Sequence, residues 1–346
     1  MTVETPASRP GSNPPQGAGG HGGNGRARPG PGAPPSLPAS EPGGRAAAAK
    51  VTRVVAPTIS VRQRLRDIWQ SRELLLYLVR TEIKVKYKNS VLGLVWSMVA
   101  PAMTLAIYFI VFQVVLGNRQ PNFVIFLFAG LLLWNLFSLG VLTGTGVIVN
   151  NAGIVKKVSF PREILALAAV GSACVFFFFQ ALVMIVFMVV LHHGPDWSYM
   201  PTALLALVTG IILSAALAVL LCSINVYLRD TQHLIEVILT AWFWACPIVY
   251  AYQQNIGIRL GPKGLTWIYF LNPMTPLVLS MQRFIYGTPT TYGKLNGAIH
   301  TYLVLPVKSH LWYTGLDVGV LVIALLLFLV ALAVFGRLEG NFAEEL

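Results

Sequence analysis

The sequence predicts an all-α membrane protein that crosses the bilayer several times. Of its 346 residues, 55% are hydrophobic and only 11% are charged, whereas soluble domains carry about 25% charged residues. The apolar residues collect in six long runs, each bounded by charged or turn-forming residues. A spanning helix needs about 20 mostly apolar residues. We therefore expect six transmembrane helices.

Residues 1–56 are expected to form a disordered cytoplasmic tail. They are rich in Gly, Pro, Ala and Ser and contain few large apolar side chains. Such a segment cannot bury enough surface to offset the entropy lost on ordering. The membrane domain is therefore predicted to occupy residues 57–346.

A charged amphipathic helix is predicted at about 61–88, directly before the first span. Leu65, Ile68 and Trp69 recur at three- and four-residue steps, as on one face of a helix. The same face continues through Leu75, Leu76 and Val79. Its aromatic and basic residues suit the membrane surface. It is either a lipid anchor or an interface helix that also contacts a soluble partner.

The six predicted spans lie at about 91–116, 122–147, 164–191, 202–226, 233–251 and 313–336. Pro101 is expected to kink the first span, which membrane helices tolerate where neighbours satisfy the backbone. Gly140 and Gly144 have the GxxxG spacing that allows helices to pack closely.

The distribution of basic residues predicts the orientation. Of the 25 Lys and Arg residues, 19 fall on the side of the two chain termini. Because basic residues concentrate on the cytoplasmic side of membrane proteins, both termini are expected in the cytoplasm. The protein would then lie in the cytoplasmic (inner or plasma) membrane.

The segment before the last span contains a broken apolar run at about 264–287. Asn272, Pro273 and Pro276 interrupt it, and Arg283 follows. Irregular backbone at membrane depth survives only against protein or water. We expect two short re-entrant helices on the outer face, hinged at Asn272–Pro273. An amphipathic helix lying flat on the outer surface is the alternative.

Several kinds of chemistry lack their sequence signals. The chain has no GxxxxGK[ST] nucleotide-binding motif. Its spans contain almost no acidic residues, which argues against an ion-coupled carrier. The paired carboxylates that a sugar-processing membrane enzyme would need occur only at Glu344–Glu345. No spacing of Cys and His suggests a metal site. We therefore expect neither an enzyme nor a cofactor in this chain.

The connection between the second and third spans has an unusual composition. Ile154 and Val155 precede Lys156 and Lys157, and Val158 and Phe160–Pro161 follow. A plain loop would not need exposed apolar residues, so this turn is interpreted as a docking surface. The alternative is a loop folded onto the bilayer.

Five segments in this order resemble the permease subunit of a type-2 ABC exporter, in the subgroup for O-antigen, teichoic-acid and other cell-wall polysaccharides. They are RELLLYLVRTEIKVKYKNSVLGLVWSMVAP (72–101), NNAGIVKKVSFPREIL (150–165), NVYLRDTQHLIEVILTAWFWACPIVY (225–250), LNPMTPLVLSMQRFIYG (271–287) and FGRLEGNFAEEL (335–346). The chain departs at Ala166, where the family often has a second proline.

The resemblance implies that two copies of the permease form one pore, above two copies of a separate ATPase that binds ATP and Mg. The expected ATPase-docking residues are Arg72, Glu73, Ile154, Val155, Lys156, Lys157, Val158, Phe160 and Pro161. The expected channel-lining residues are Tyr108, Phe112, Trp242, Phe243 and Trp244, although packing or lipid contact is an alternative for each.

The implied cargo is a polysaccharide linked to a polyprenyl diphosphate, and composition and analogy suggest a cell-wall galactan. The expected contacts to the diphosphate, or to lipid headgroups, are Arg80, Lys84, Lys86 and Lys88. The expected outer gate comprises Asn272, Pro273, Pro276 and Arg283. A drug or lipid exporter permease is one alternative, and a lipid-linked sugar-processing membrane enzyme is a more distant one.

Overall fold

Helices contain most of the described residues in a computed structural model. The structure describes residues 61–86, 95–115, 117, 120, 122–158, 160–287, 290–295 and 298–346. The predicted tail at 1–56 lies outside the described residues. The helices are α1 (Val61–Gln70), α2 (Arg72–Lys86), α3 (Trp96–Tyr108), α4 (Phe123–Asn150), α5 (Ala152–Val155), α6 (Glu163–Val190), α7 (Met200–Tyr227), α8 (Thr231–Trp244), α9 (Ile258–Leu260), α10 (Thr266–Phe270), α11 (Met274–Ile285), α12 (His310–Leu338) and α13 (Phe342–Glu345).

Five helical stretches in the described part of the chain are long and apolar enough to cross a membrane. They are Met98–Val115, Phe123–Asn150, Glu163–Val190, Trp197–Tyr227 and His310–Asn341. The first combines α3 with a π-helical continuation at Phe109–Val115, and α3 continues through Pro101. The prediction of a helical protein with several spans is confirmed.

The predicted span at 233–251 is not a continuous helix. Its helix α8 has 14 residues, or about 21 Å at 1.5 Å per residue, against a hydrocarbon thickness of about 30 Å. The chain then turns from Ala245 to Tyr250, and Pro247 in this turn has no N–H for a helical hydrogen bond. That this segment crosses the membrane as a sixth span therefore stays a prediction.

Helix α4 lies at the centre of the described fold. Of its 28 residues, 20 are buried, and it packs against α6, α7, α8 and α11. Its glycines permit this, because a methyl group added at Gly144 would lie 2.5 Å from the Cβ of Ala218 on α7. One added at Gly140 would overlap the hydroxyl of Ser214. The close packing predicted from the GxxxG spacing is confirmed.

The predicted interface helix is divided at Ser71 into α1 and α2, although hydrogen bonds from Ser71 N to Asp67 O and from Leu75 N to Ser71 O cross the junction. Its apolar residues lie on two sides of the helix pair. Those on the inner side pack on the protein, and Val79 lies over Gly171 of α6. Leu65, Trp69 and Leu76 are exposed on the outer side. A single apolar face was therefore the wrong prediction.

Two short helices, α10 and α11, occupy the predicted re-entrant region at 264–287. They meet at the turn containing Asn272 and Pro273, while 11 of the 12 residues of α11 are buried. Their depth in a membrane stays a prediction. An antiparallel hairpin that was not predicted follows, with β1 (Thr290–Leu295) paired to β2 (Ala298–Leu303). The chain then enters α12.

Replacing Gly144 with Ala should destabilise the packing of α4 on α7. The added methyl group meets the Cα and Cβ of Ala218 rather than the end of a flexible side chain, and overpacking of this kind costs about 1–3 kcal/mol. Thermal unfolding in detergent would measure the loss. Gly315→Ala is the control, because its added methyl group meets no atom within 4 Å. Equal melting temperatures for the two variants would contradict the prediction.

Candidate functional site

A groove of about 580 Å³ opens between α3, α4, α6 and α8. It includes three of the predicted channel residues, Tyr108, Phe243 and Trp244. The full lining comprises Thr104, Tyr108, Leu131, Trp134, Asn135, Ser138, Leu139, Leu142, Gln180, Glu236, Leu239, Thr240, Phe243 and Trp244. Aromatic rings and small polar groups thus share one surface between apolar helices.

The polar groups of this groove are held in place by the helices that carry them. Asn135 of α4 donates a hydrogen bond from Nδ2 to Oε1 of Gln180 on α6, at 3.1 Å. Amides, hydroxyls and rings together suit a ligand with apolar faces and many hydroxyl groups, because rings cover the faces while polar groups fix the orientation.

The other two predicted channel residues do not line this groove. Phe112 is half-buried, with its ring centroid 6.1 Å from that of Tyr108 and 5.8 Å from that of Phe123. The ring centroid of Trp242 lies 5.2 Å from that of Phe137. Trp242 lines a second, wide-open apolar groove of about 530 Å³ with Asn272 and Pro273.

Asn272, the predicted hinge, makes hydrogen bonds to several other residues. Its Oδ1 accepts hydrogen bonds from Nε1 of Trp242 at 2.8 Å and from the backbone N–H of Met274 at 3.0 Å. Its Nδ2 donates to the carbonyl of Ala245 at 3.3 Å. One side chain therefore joins the end of α8 to the start of α11. Pro273 is half-buried and Pro276 is buried.

Arg283, assigned to the outer gate by resemblance, is mostly buried and holds α11 to its neighbours. Its Nη1 lies 2.9 Å from a carboxylate oxygen of Asp196, between α6 and α7. Its guanidinium lies 3.9 Å from the ring centroid of Tyr199, a distance at which a cation is attracted to the ring. The backbone N–H of Asp196 also donates to Phe284 O at 2.8 Å.

The basic residues predicted to contact a diphosphate do not converge. Arg80 and Lys84 are exposed along α2. The ammonium of Lys86 lies 4.1 Å from the ring centroid of Phe176, beside a cavity of about 250 Å³ that Glu82 also lines. The hydroxyl of Ser172 donates to Glu82. Lys88 lies outside the described residues.

The predicted docking turn is formed by α5 and the residues after it. Ile154 and Val158 are exposed, at 47% and 54%, and so are Lys156 and Lys157. Arg72 and Glu73 are exposed on α2, while Phe160 and Pro161 are half-buried. The prediction that Val155 is exposed is wrong, because only 3% of it is accessible.

Val155 is buried because it belongs to a second apolar cluster. This cluster includes Phe335 and Phe342 near the C-terminus, and Phe160 packs against it. From α1, Val61 and Ile68 pack against the same cluster. The docking turn, the interface helix and the last residues of the chain therefore share one core.

Arg64 of α1 is buried at the same junction, with 7% of its surface exposed. It donates one hydrogen bond to Glu163, the first residue of α6. It donates a second, at 2.8 Å, to Glu339, which directly follows α12. Burial alone would lower the pKa of the Arg64 guanidinium. The carboxylates of Glu163 and Glu339 have the larger combined effect, so the pKa lies above its usual value. Arg162 donates to the carbonyl of Glu339 at 3.0 Å.

This ionic cluster, defined as Arg64, Arg162, Glu163 and Glu339, was not predicted from the sequence. Only the apolar residues of the amphipathic helix were used to predict which side of it faces the protein. The spacing nevertheless contained a signal, since Arg64 lies four residues before Ile68 and seven before Ser71, on the stripe that faces the protein. A basic residue on that stripe requires buried acidic partners.

Replacing Trp242 with Phe should destabilise the junction of α8 and α11. The substitution keeps an aromatic ring but leaves Oδ1 of Asn272 without its bond from Nε1, which costs about 1–2 kcal/mol. A thermal unfolding scan would show a lower melting temperature. Trp244→Phe is the matched control, because Trp244 is 54% exposed. An effect as large in the control would contradict the assigned role of this hydrogen bond.

Comparison with known proteins places the chain in a family. The model of the ABC-2 type transporter family matches residues 73–286, which is more than half of the chain. An O-antigen export system permease protein RfbA from Myxococcus xanthus is 32% identical over 222 residues, covering 64% of this chain and 84% of that protein. A protein of the same name from Klebsiella pneumoniae is 27% identical over 274 residues, covering 79% of this chain and 95% of that protein. The chain belongs to the ABC-2 type transporter family of multi-pass membrane proteins.

Proposed function

We propose that this chain is the channel-forming permease subunit of an exporter that moves a polysaccharide across the cytoplasmic membrane. The observation that carries the proposal is the groove between α3, α4, α6 and α8, where aromatic rings stand beside amides and hydroxyls. Rings can stack on the apolar faces of sugars, while amides and hydroxyls bond to sugar hydroxyls. Similarity to permeases named for O-antigen export supports the same cargo class.

The energy would come from a separate ABC ATPase, which would hold ATP and Mg. Ile154 and Val158 provide exposed apolar contacts, and Lys156 and Lys157 surround them with positive charge. Exposed apolar residues rimmed by polar ones are typical of protein interaction sites. Two permease copies would form one pore above two ATPase copies, with both chain termini in the cytoplasm.

The cargo would be linked to a polyprenyl diphosphate and would serve cell-wall biogenesis, with a galactan as the candidate polymer. Exposed basic residues on α2, Arg80 and Lys84, would attract the diphosphate at the membrane surface. Lys86, whose ammonium lies over Phe176, would present its charge beside an apolar wall. This placement suits a ligand with an anionic head and an isoprenoid tail.

Depletion of the chain in its native cells tests the proposed function. Lipid-linked glycan should accumulate inside the cells while surface glycan falls, and the full chain should restore both. Purification of the full chain from membranes should also recover an ABC ATPase. Normal surface glycan after depletion, together with purification that recovers no ATPase, would contradict the proposal.

Replacing both Ile154 and Val158 with Asp should weaken ATPase binding at least tenfold. Two carboxylates would replace apolar contacts at the proposed interface, where unpaired charges are costly to bury. The amount of ATPase recovered per permease would measure binding. The control is Val307→Asp, since Val307 is 62% exposed and precedes the start of α12, whereas the docking turn packs near the other end of that helix. Undiminished recovery from the double variant would disprove this docking surface.

Replacing Thr240 with Trp should reduce glycan export at least fivefold without reducing ATPase recovery. Thr240 is exposed in the groove, and an indole there would fill part of the 580 Å³ volume. Surface glycan per cell would measure export. Val322→Trp is the control, because Val322 is exposed on α12 and is not among the groove residues. Unchanged export by Thr240→Trp would exclude this groove from the path of the glycan.

A further inference from the structure

The ionic cluster joins three parts of the chain that are far apart in sequence. Arg64 belongs to α1, Glu163 begins α6 directly after the docking turn, and Glu339 follows α12. Arg64 bonds to both acids, and Arg162 lies 4.0 Å from a carboxylate oxygen of Glu339. Two basic and two acidic side chains therefore meet at one junction, where Arg64 and Glu163 are buried and Arg162 and Glu339 are partly buried.

The backbone of α12 is shaped to admit Arg64. A methyl group added at Gly336 would lie 2.8 Å from Nε and 3.0 Å from Nη2 of Arg64. The guanidinium thus lies directly against the last turns of α12, in the space that a larger residue would take. Tyr227 of α7 donates a hydrogen bond to the carbonyl of Leu338 at 2.8 Å, which fixes the end of α12 from the other side.

The apolar cluster around this junction adds a second connection. Val155 of the docking turn and Phe342 of α13 are both buried within it, and Phe160 and Ile68 pack against it. Apolar contacts are non-directional and allow sliding. The guanidinium of Arg64 instead donates one directional, charge-assisted hydrogen bond to each of two carboxylates, which fixes both distance and direction. The ionic cluster therefore supplies the rigidity that the apolar contacts lack.

We propose that Arg64 is a positioning residue for transport. It makes α1, the docking turn and the end of α12 one rigid unit, so that a displacement imposed at the docking turn reaches α6 and α12 together. The proposal rests on the proposed function, because it requires a partner that pushes on this unit. Arg64 contacts neither cargo nor nucleotide in this arrangement.

The test compares Arg64→Gln with Arg66→Gln, since Arg66 is exposed on the same helix. The readouts are surface glycan per cell, ATPase recovered with the permease, and ATP hydrolysis by the purified complex in lipid nanodiscs. Arg64→Gln should keep ATPase recovery and hydrolysis within about twofold of the unsubstituted complex, while export falls at least tenfold. Arg66→Gln should leave all three unchanged, and Arg64→Lys should be intermediate.

Gly336→Ala provides a second variant that keeps every charge. Its methyl group displaces the guanidinium of Arg64 by occupying the same space, so export per ATP hydrolysed should fall at least threefold. Gly319→Ala on the same helix meets no atom within 4 Å and should behave as the unsubstituted protein. If Arg64→Gln does not fold, the comparison of Gly336→Ala with Gly319→Ala tests the positioning role of Arg64.

The outcomes separate the inference from the proposed function. If the unsubstituted chain neither recovers an ATPase nor exports glycan, the proposed function fails and the inference falls with it. If the unsubstituted chain does both, and export and hydrolysis fall in step in Arg64→Gln and Gly336→Ala, the ratio of glycan to ATP is unchanged. That result would show that Arg64 only stabilises the fold, and it would overturn the inference alone.

Discussion

The burial of Arg64 is the constraint on which the arrangement of this end of the molecule depends. A buried cation needs acidic partners, and removing one partner of a buried pair costs about 3–5 kcal/mol, a large part of a typical unfolding free energy of about 5–15 kcal/mol. Glu163 and Glu339 supply those partners from two distant parts of the chain. The start of α6 and the end of α12 must therefore meet α1, and the docking turn between α4 and α6 is brought to the same place.

This junction and the groove divide the work of the protein between two regions. The docking turn exposes Ile154 and Val158 but buries Val155, so it is attached to the fold while its outer side remains free for a partner. The groove is built from α3, α4, α6 and α8. Helix α6 belongs to both regions, since Glu163 begins it at the junction and Gln180 reaches the groove. A movement at the junction has in α6 a direct structural path to the groove.

Hydropathy alone predicted most of the long helices, because a run of about 20 apolar residues has few alternatives to a spanning helix. The sequence motifs also indicated the family. The burial of Arg64 and the long-range hydrogen bonds depend on tertiary contacts. Arg64 is buried because of Glu163 and Glu339, which are 99 and 275 residues away, and helical periodicity cannot detect such partners. The hydrogen bond from Trp242 to Asn272, 30 residues later, was likewise not predicted. The hairpin of β1 and β2 was missed although an Asn-Gly dipeptide, a common hairpin signal, separates its strands in the sequence.

If α1, the docking turn and the end of α12 form one rigid unit, the distance between α1 and the C-terminal residues should stay constant in the complex with the ATPase. Spin labels at Arg66 and Glu344, both exposed, would report it by pulsed electron resonance after the three native cysteines have been replaced. A rigid unit should give a single narrow distance distribution that is the same with and without ATP, while a label pair at Arg66 and Val307 reports a change between the two states. A distance between Arg66 and Glu344 that broadens or shifts when ATP binds would show that these segments do not move as one unit.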